Sequence, residues 1–365
     1  MSDSEKILAK LRTRIDAVDR GLLKLLNERA GLAAEVAEAK RSDGSSFYRP
    51  ERERALIDKL QSLNTGPFPG DAIRPVFQEV ISACLSLEEG ISVAYLGPEA
   101  TFTHQAVKRH FGTSATTVPC GTIDSVFKEV ERGITPFGVV PVENSSEGVV
   151  NHTLDCFVDS SLKIVAEIVV DVEHCLLARD GLREGEIQRV YSHPQALAQC
   201  RSWLSANLKQ ASLVPSASTA DAARAAQDDA SGAAVSAELA ARMYGLNVWR
   251  RNRHDQPDNV TRFLVVGREA LPVGQGSNVK TSLLMTLPDT PGALLDVLAH
   301  FERKSINLSK IESRPTKRRA WDYVFFLDLD GHCDDAPVAE VVKALSASCK
   351  LFKVLGSYSK ADIHE

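Results

Sequence analysis

Arg29 stands where the surrounding pattern reserves a place for an apolar residue. Leu8, Leu11, Ile15, Val18, Leu22, Leu25, Leu32 and Val36 follow a three-four repeat, and the slot between Leu25 and Leu32 falls on Arg29. A guanidinium keeps its charge, and burying it without an anion costs on the order of several kcal/mol. Its partner is either an acid on a neighbouring helix or an anionic ligand. Lys40 lies eleven residues further on. That is ~20° around a helix and ~16 Å along its axis, so both side chains can converge on one small polyanion. Arg12, seventeen residues before Arg29, points about 100° away. It suits a second, symmetry-related pocket if two chains pair through this seam.

The elements that must hold these charges are helices. The repeat predicts one long helix with a buried seam. Pro50 opens a second helix, with Arg52, Leu56, Leu60 and Leu63 on one face, Glu53 at its border, and Asn64-Thr65-Gly66-Pro67 ending it. A third, over 71–88, lines up Phe77, Val80, Ile81, Cys84 and Glu88. Arg29, Lys40, Arg52, Glu53 and Glu88 thus aim at a common interior, more polar groups than one structural ion pair needs.

Residues 1–90 resemble the all-helical chorismate mutase domain in the spacing of Arg12, Arg29, Lys40, Arg52 and Glu53. The resemblance implies a pericyclic rearrangement of chorismate to prephenate, driven by holding a compact conformer and stabilising charge on the breaking ether oxygen. It implies that arginines, one from a partner chain, hold the two carboxylates. Lys40 would donate to the ether oxygen and Glu53 would hold the hydroxyl. Three positions depart from the common pattern: Arg49 replaces an aspartate, Cys84 a serine, and Glu88 a glutamine. Glu88 can donate to the ether only when protonated, so mutase activity is expected to fall as pH rises.

The chain has 365 residues, a net charge of −5 and a pI near 6.0. That length suits two or three domains, and the charge gives no basic surface for nucleic acid or an acidic membrane. Seven scattered cysteines without a Cys-x-x-Cys pair, and an N-terminus without an apolar signal region, suit reduced thiols in the cytoplasm. No metal is expected from the histidine spacing, and no membrane span from the hydropathy. Short linkers are expected near 88–90 and 271–277.

From residue 91 short β-like runs alternate with helices. Strands are expected at 91–96, 116–118, 138–142 and 163–177, with helices at 103–111, 124–132 and 149–158. A second set spans 189–244, and a strand at 263–266 returns to the first lobe. The alternation predicts a two-lobed α/β domain, periplasmic-binding-protein-like, with a cleft at the strand carboxyl ends. Turn clusters lie at those ends: Gly97 to Thr103, Pro141 to Ser146, Ser192-His193-Pro194-Gln195 and Ser218-Thr219. Singly each is an N-cap; together they suit an anion site built from backbone N–H groups. No Gly-x-Gly-x-x-Gly follows a strand, so no dinucleotide cofactor is expected.

Asn259-Val260-Thr261-Arg262-Phe263 is the sharpest run. With the Pro-x-Glu-Asn-Ser and Ser-His-Pro-Gln blocks, it makes residues 91–270 similar to prephenate dehydratase. That family removes carbon dioxide and the ring hydroxyl together, and aromatisation drives the step. The resemblance implies that Thr261 assists the leaving hydroxyl and that Arg262 binds a carboxylate. Asn144, Ser192, Thr219 and Phe263 are further expected substrate contacts.

Residues 278–358 read β-α-β-β-α-β, the ferredoxin-like α+β order. Pro291-Gly292-Ala293-Leu294-Leu295 and Ile311-Glu312-Ser313-Arg314-Pro315 resemble the phenylalanine-binding ACT domain of the dehydratases. Gly292, Ala293, Leu294, Asn307, Leu308, Glu312 and Ser313 are the expected allosteric contacts. The whole reads as a multidomain, bifunctional, feedback-regulated enzyme acting as a homodimer. The alternatives are an arogenate-using dehydratase and a non-catalytic two-lobed receptor.

Overall fold

The structure, a computed structural model, describes residues 2–43, 48–88, 90–251, 259–273, 278–315 and 323–361, the side chains at 41–43 and 88 excepted. The chain divides into two compact units, Met1–Ile91 with Phe111–Thr116, and Ser92–His110 with Thr117–Glu365. The expected linkers fall partly on residues 89 and 274–277, outside the described residues.

The first unit holds α1 (Asp3–Asp43), α2 (Pro50–Leu63) and α3 (Gly70–Glu88). The seam expected to be buried along α1 is exposed in the single chain, Leu32 at 56% and Val36 at 42% included, and burial near the helix end falls on Ala37 beside it. Ala37 is 1% exposed, whereas Ile15, Leu22 and Leu25 are 54–62% exposed. The reason is length: α1 reaches ~60 Å, α2 and α3 only ~20–30 Å, so two short helices cannot cover it. On α3, Ser82 Oγ donates to the Phe111 carbonyl at 2.9 Å. Gly112, at φ +76°, lets the chain turn against Ser82, where a Cβ would come within 2.3 Å.

The α/β part begins with β1 (Ser92–Leu96), α4 (Phe102–Phe111), β2 (Thr116–Cys120), α5 (Ile123–Glu131), β3 (Phe137–Asn144), β4 (Gly148–Val149), α6 (Asn151–Asp159) and β5 (Lys163–Asp171). A second set follows: β6 (Cys175–Ala178), β7 (Arg189–Ser192), α7 (Pro194–Gln199), α8 (Arg201–Asn207), β8 (Ser212–Pro215), α9 (Thr219–Asp228), β9 (Gly232–Ser236), α10 (Glu238–Tyr244) and β10 (Asn247–Arg250). Then β11 (Val260–Gly267) returns to the first sheet, as the sequence suggested. The sheet orders are β2-β1-β3-β11-β5, with β4 on β3, and β10-β6-β9-β7-β8. The stretch 163–177, read as one strand, is two: β5 and β6 belong to different sheets, and residues 172–174 carry the chain across. The crossover carries Glu173 and His174 just after Asp171, a short polar break between two apolar runs without a Gly or Pro to mark it. Helix starts follow local chemistry. Thr122 accepts from Ser125 N, and Ile123, Val126, Phe127 and Val130 then bury one face of α5.

The C-terminal module comprises β12 (Val279–Thr286), α11 (Ala293–Arg303), β13 (Leu308–Pro315), β14 (Tyr323–Asp330), α12 (Ala336–Ser348) and β15 (Leu351–Ser359). Its antiparallel sheet runs β13-β14-β12-β15. Period-two alternation sorts its two faces. Leu283, Met285, Leu327 and Leu329 pack under α11 and α12. Leu284, Phe326, Leu355 and Tyr358 join Val140, Phe157, Ile164 and Leu264 in one core with the α/β part. Gly356 sits so close to β5 that a Cβ would lie 2.1 Å from the Ile164 carbonyl oxygen. Lys163 donates to Val354 O, and Lys353 to the carbonyls of Phe157, Val158 and Ser160, at 2.7–3.2 Å.

Candidate functional sites

In the helical unit a cavity of about 240 Å³ is lined by Arg29, Leu32, Val36, Lys40, Arg49, Arg52, Glu53 and Cys84, among others. One face of α1, the start of α2 and the middle of α3 supply them. Against four cationic side chains stands one lining carboxylate, Glu53. Burial raises the Glu53 pKa to about 7, with Arg29 and Lys40 pulling it back. Burial, then the nearby Glu53 charge, holds the Tyr48 phenol well above its ordinary value. Among the described residues, Arg29, Arg49 and Arg52 make no ion pair, so the cavity is electropositive and built for an anion. Arg12 lies far up the exposed part of α1 and does not line it. The Glu88 side chain is outside the described residues.

In the α/β part, the end of β11 lies against the end of β3, with Thr261 opposite Asn144. Asn144 Nδ2 donates to Thr261 Oγ1 and to Asn259 Oδ1, both at 2.8 Å, while its Oδ1 accepts from Ser146 N and Glu147 N. Those two backbone donors fix the amide's orientation. Asn259 continues to Gln199 Oε1 at 3.1 Å, which also meets His174 Nε2 at 2.9 Å, and Gln199 Nε2 reaches Glu147 at 3.2 Å. A polar string therefore links the two sheets' elements. Because Thr261 Oγ1 accepts from Asn144, its own hydrogen is left to donate outward. Gln199, His174 and Glu147 escape sequence reasoning, and Asn259 enters it only as part of the run that holds Thr261, since only the fold brings 144–147, 174, 199 and 259 together.

Four expected contacts look different in place. Arg262 projects away from Thr261, since neighbours on a strand face opposite ways. Its Nε donates to Glu167 at 2.7 Å and its Nη2 to Asp328 at 2.8 Å and to the Tyr358 hydroxyl at 3.2 Å. Burial opposes its charge, but Tyr358, Asp328 and Glu167 outweigh burial and raise its pKa. In this structure the Arg262 guanidinium, expected to bind a substrate carboxylate, is engaged by anionic partners of the protein itself. Phe263 is 1% exposed and belongs to the interior, not to a contact surface. Ser192 is fully buried, and its hydroxyl donates to Val235 O at 2.6 Å, tying β7 to β9. Thr219 stays half-buried at the first position of α9, whose cap is Ser218 accepting from Asp221 N.

In the C-terminal module Gly292 caps α11 at φ +87°, with Ala293 and Leu294 in the first turn. Leu308, Glu312 and Ser313 lie on β13. Asn307 already donates to Asp330 at 3.2 Å. Arg314, 9% exposed, pairs with Asp155 at 3.1 Å, while its Nε and Nη1 are buried without partners among the described residues. Two trios offer metal-ligand atoms within 4.8 Å of one another, Asp124-His152-Cys156 and His332-Cys333-Asp334. In the first, His152 is already bonded to Asp124 at 2.5 Å.

Three family models match the chain: chorismate mutase type II over 11–89, prephenate dehydratase over 93–271 and the ACT domain over 281–347. A bifunctional chorismate mutase/prephenate dehydratase of Aquifex aeolicus is 49% identical, the match covering 98% of this chain and 99% of that protein. One from Pseudomonas aeruginosa is 41% identical, covering 99% and 100%. The crystal structure of a prephenate dehydratase from Arthrobacter aurescens in complex with L-Phe aligns with a TM-score of 0.70 at 37% identity, covering 75% of this chain and 92% of that one.

Proposed function

The chain belongs to the bifunctional chorismate mutase/prephenate dehydratase family, and from that premise we propose that its two reactions run at two separate sites. It rearranges chorismate to prephenate, then decarboxylates and dehydrates prephenate to phenylpyruvate. The mutase site is the cavity of the helical unit. The observation that carries this is four cations around one partly protonated acid, a charge balance that suits a dicarboxylate. Arg29, with Arg49 and Arg52 as neighbours, holds the carboxylates. Lys40 stabilises the ether oxygen as its bond to carbon breaks, and Glu53 holds the ring hydroxyl. No bond to the protein forms, so positioning and charge are the whole of the catalysis.

The dehydratase site is the Thr261 hydroxyl, aimed by Asn144. As the carboxylate leaves as carbon dioxide, its bonding electrons enter the ring and the hydroxyl departs with its own pair. Thr261 donates a hydrogen bond to that departing oxygen, which leaves as hydroxide and takes its proton from solvent to become water, so the threonine keeps its own hydrogen. The L-Phe complex of the Arthrobacter aurescens protein supports phenylalanine as the ligand of the Gly292–Leu294 and 307–313 region here. The exposed Ile15, Leu22 and Leu25 support pairing of two chains along α1, with Arg12 of one completing the cavity of the other. All seven cysteines are free thiols, which supports work in the reducing cytoplasm. No described helix is long and apolar enough to cross a membrane.

The test is to give the purified protein chorismate and, in a separate assay, prephenate, following prephenate formed from the first and phenylpyruvate formed from the second. Arg29→Ala should abolish only the first step and Thr261→Ala only the second. Loss of both steps in either variant would contradict two separate sites.

A further inference from the structure

Two successive rungs of the β3–β11 ladder face opposite sides. The Thr261–Asn144 rung carries the outward hydroxyl, and the next, Arg262–Glu143, points into the C-terminal sheet. Every strand of that sheet grips this second rung or its partners. Asp328 of β14 and Tyr358 of β15 take Arg262 Nη2 at 2.8 and 3.2 Å. Lys280 of β12 shares Glu167 with Arg262, at 3.1 and 2.7 Å. Lys310 of β13 donates to Glu143 at 2.6 Å. Ser282 ties the first two together, with its hydroxyl at 2.5 Å from Asp328 and 2.7 Å from Tyr358.

The charges close on themselves. Arg262, Lys280 and Lys310 face Glu167, Asp328 and Glu143, three against three, all well or partly buried. A substrate carboxylate entering this cluster would meet an already balanced set, so Arg262 has another task. The ladder also shifts register between Arg262 and Phe263. Bulges of this kind set the aim of neighbouring side chains, and this one adjoins Thr261. Lys310 sits on the same strand as Glu312 and Ser313. A ligand that moves β13 therefore pulls on Glu143, one residue from Asn144.

We propose that Arg262 and Glu143 form a positioning pair through which the C-terminal sheet sets the Thr261–Asn144 rung, so that a ligand at 292–313 controls dehydration through this point. The inference rests on the reading of Thr261 as the donor to the leaving hydroxyl and of the module as the phenylalanine site. It differs from a merely structural salt-bridge cluster in one respect: it moves turnover and ligand response, and not only stability.

The experiment uses the full chain with Lys310→Met, Asp328→Asn and Tyr358→Phe, the last removing a single hydroxyl should the charge variants fold poorly. Dehydratase kcat and KM are measured on prephenate with and without millimolar L-phenylalanine, beside mutase turnover of the same samples. The expected result is a kcat lower by roughly tenfold, a KM within about twofold, and a response to saturating phenylalanine reduced by on the order of tenfold, the usual scale of coupling between sites. Mutase turnover stays at the wild-type value. Folded variants with wild-type kcat and wild-type inhibition would overturn the proposal. Thr261→Ala separates the two failures: if it keeps full dehydratase activity, the donor reading itself is wrong.

Discussion

Asn144 gives one amide hydrogen to Thr261 at 2.8 Å while Ser146 N and Glu147 N hold its carbonyl end, so the hydroxyl can only turn its hydrogen outward. Reversing that polarity should be worse than removing it. Thr261→Ala should lower dehydratase kcat by roughly 10²-fold or more, the range for one positioned proton donor, and Thr261→Ser should restore most of it. Asn144→Ala should cost about tenfold, since the hydroxyl survives without its guide. Asn144→Asp should match Thr261→Ala, because a carboxylate would draw the hydroxyl hydrogen inward. Steady-state turnover of prephenate checks the order, and an Asn144→Asp variant faster than Asn144→Ala would refute the polarity argument.

Ser192 offers the opposite case, a residue whose motif suggests a ligand and whose surroundings give it a structural bond. Its hydroxyl is fully buried and donates to Val235 O at 2.6 Å. Ser192→Ala leaves that carbonyl short of a partner, at a cost of about 1–3 kcal/mol. We expect a lower urea midpoint with prephenate KM unchanged. A raised KM at unaltered stability would return Ser192 to the substrate.

These two residues show what the sequence could reveal. Periodicity found α1, α2 and α3, because a helix repeats its face every three or four residues and Arg29 broke that repeat visibly. The β-α-β-β-α-β order found the C-terminal sheet, but not that the neighbours Leu283 and Leu284 serve different cores. Thr261-Arg262-Phe263 flagged the right strand but not the faces of its residues. Arg262 finds Asp328 and Tyr358 a full module later, and no local spacing carries that pairing. For Leu22 and Leu25 only the angular offset of Arg12 hinted at a partner copy, because an apolar seam reads the same whether its partner is in the chain or in another copy.

Glu53 should give the mutase a pH dependence of its own. Burial raises its pKa to about 7, above the ordinary 4.5, despite Arg29 and Lys40. The folded chain thus binds an extra proton between those values, and this group's contribution to stability declines as pH rises through that window. Ionisation near 7 also subtracts one positive charge from a cavity that must hold a dianion. Mutase kcat/KM, which reports the free enzyme, should therefore fall as pH rises through 7. Glu53→Gln should flatten that step. A Glu53→Gln profile that keeps the wild-type inflection would assign it to another group.

Arg12 sits on the exposed stretch of α1, while Arg29 lines the cavity of its own chain. If Arg12 serves the partner's cavity, Arg12→Ala and Arg29→Ala should each abolish mutase activity alone, yet complement when mixed. A dimer with one chain of each kind has one cavity with both arginines intact and one with neither. Random exchange places half of all chains in such mixed dimers, so about a quarter of the cavities should work. Dehydratase turnover, on separate residues, should stay at the wild-type level throughout. Leu22→Glu on the exposed face should make mutase activity depend on protein concentration, because a charge there opposes burial of the seam. Activity recovered on mixing would tie the two arginines to one composite site. A mixture as inactive as its components, with dimers still formed, would place Arg12 outside the site.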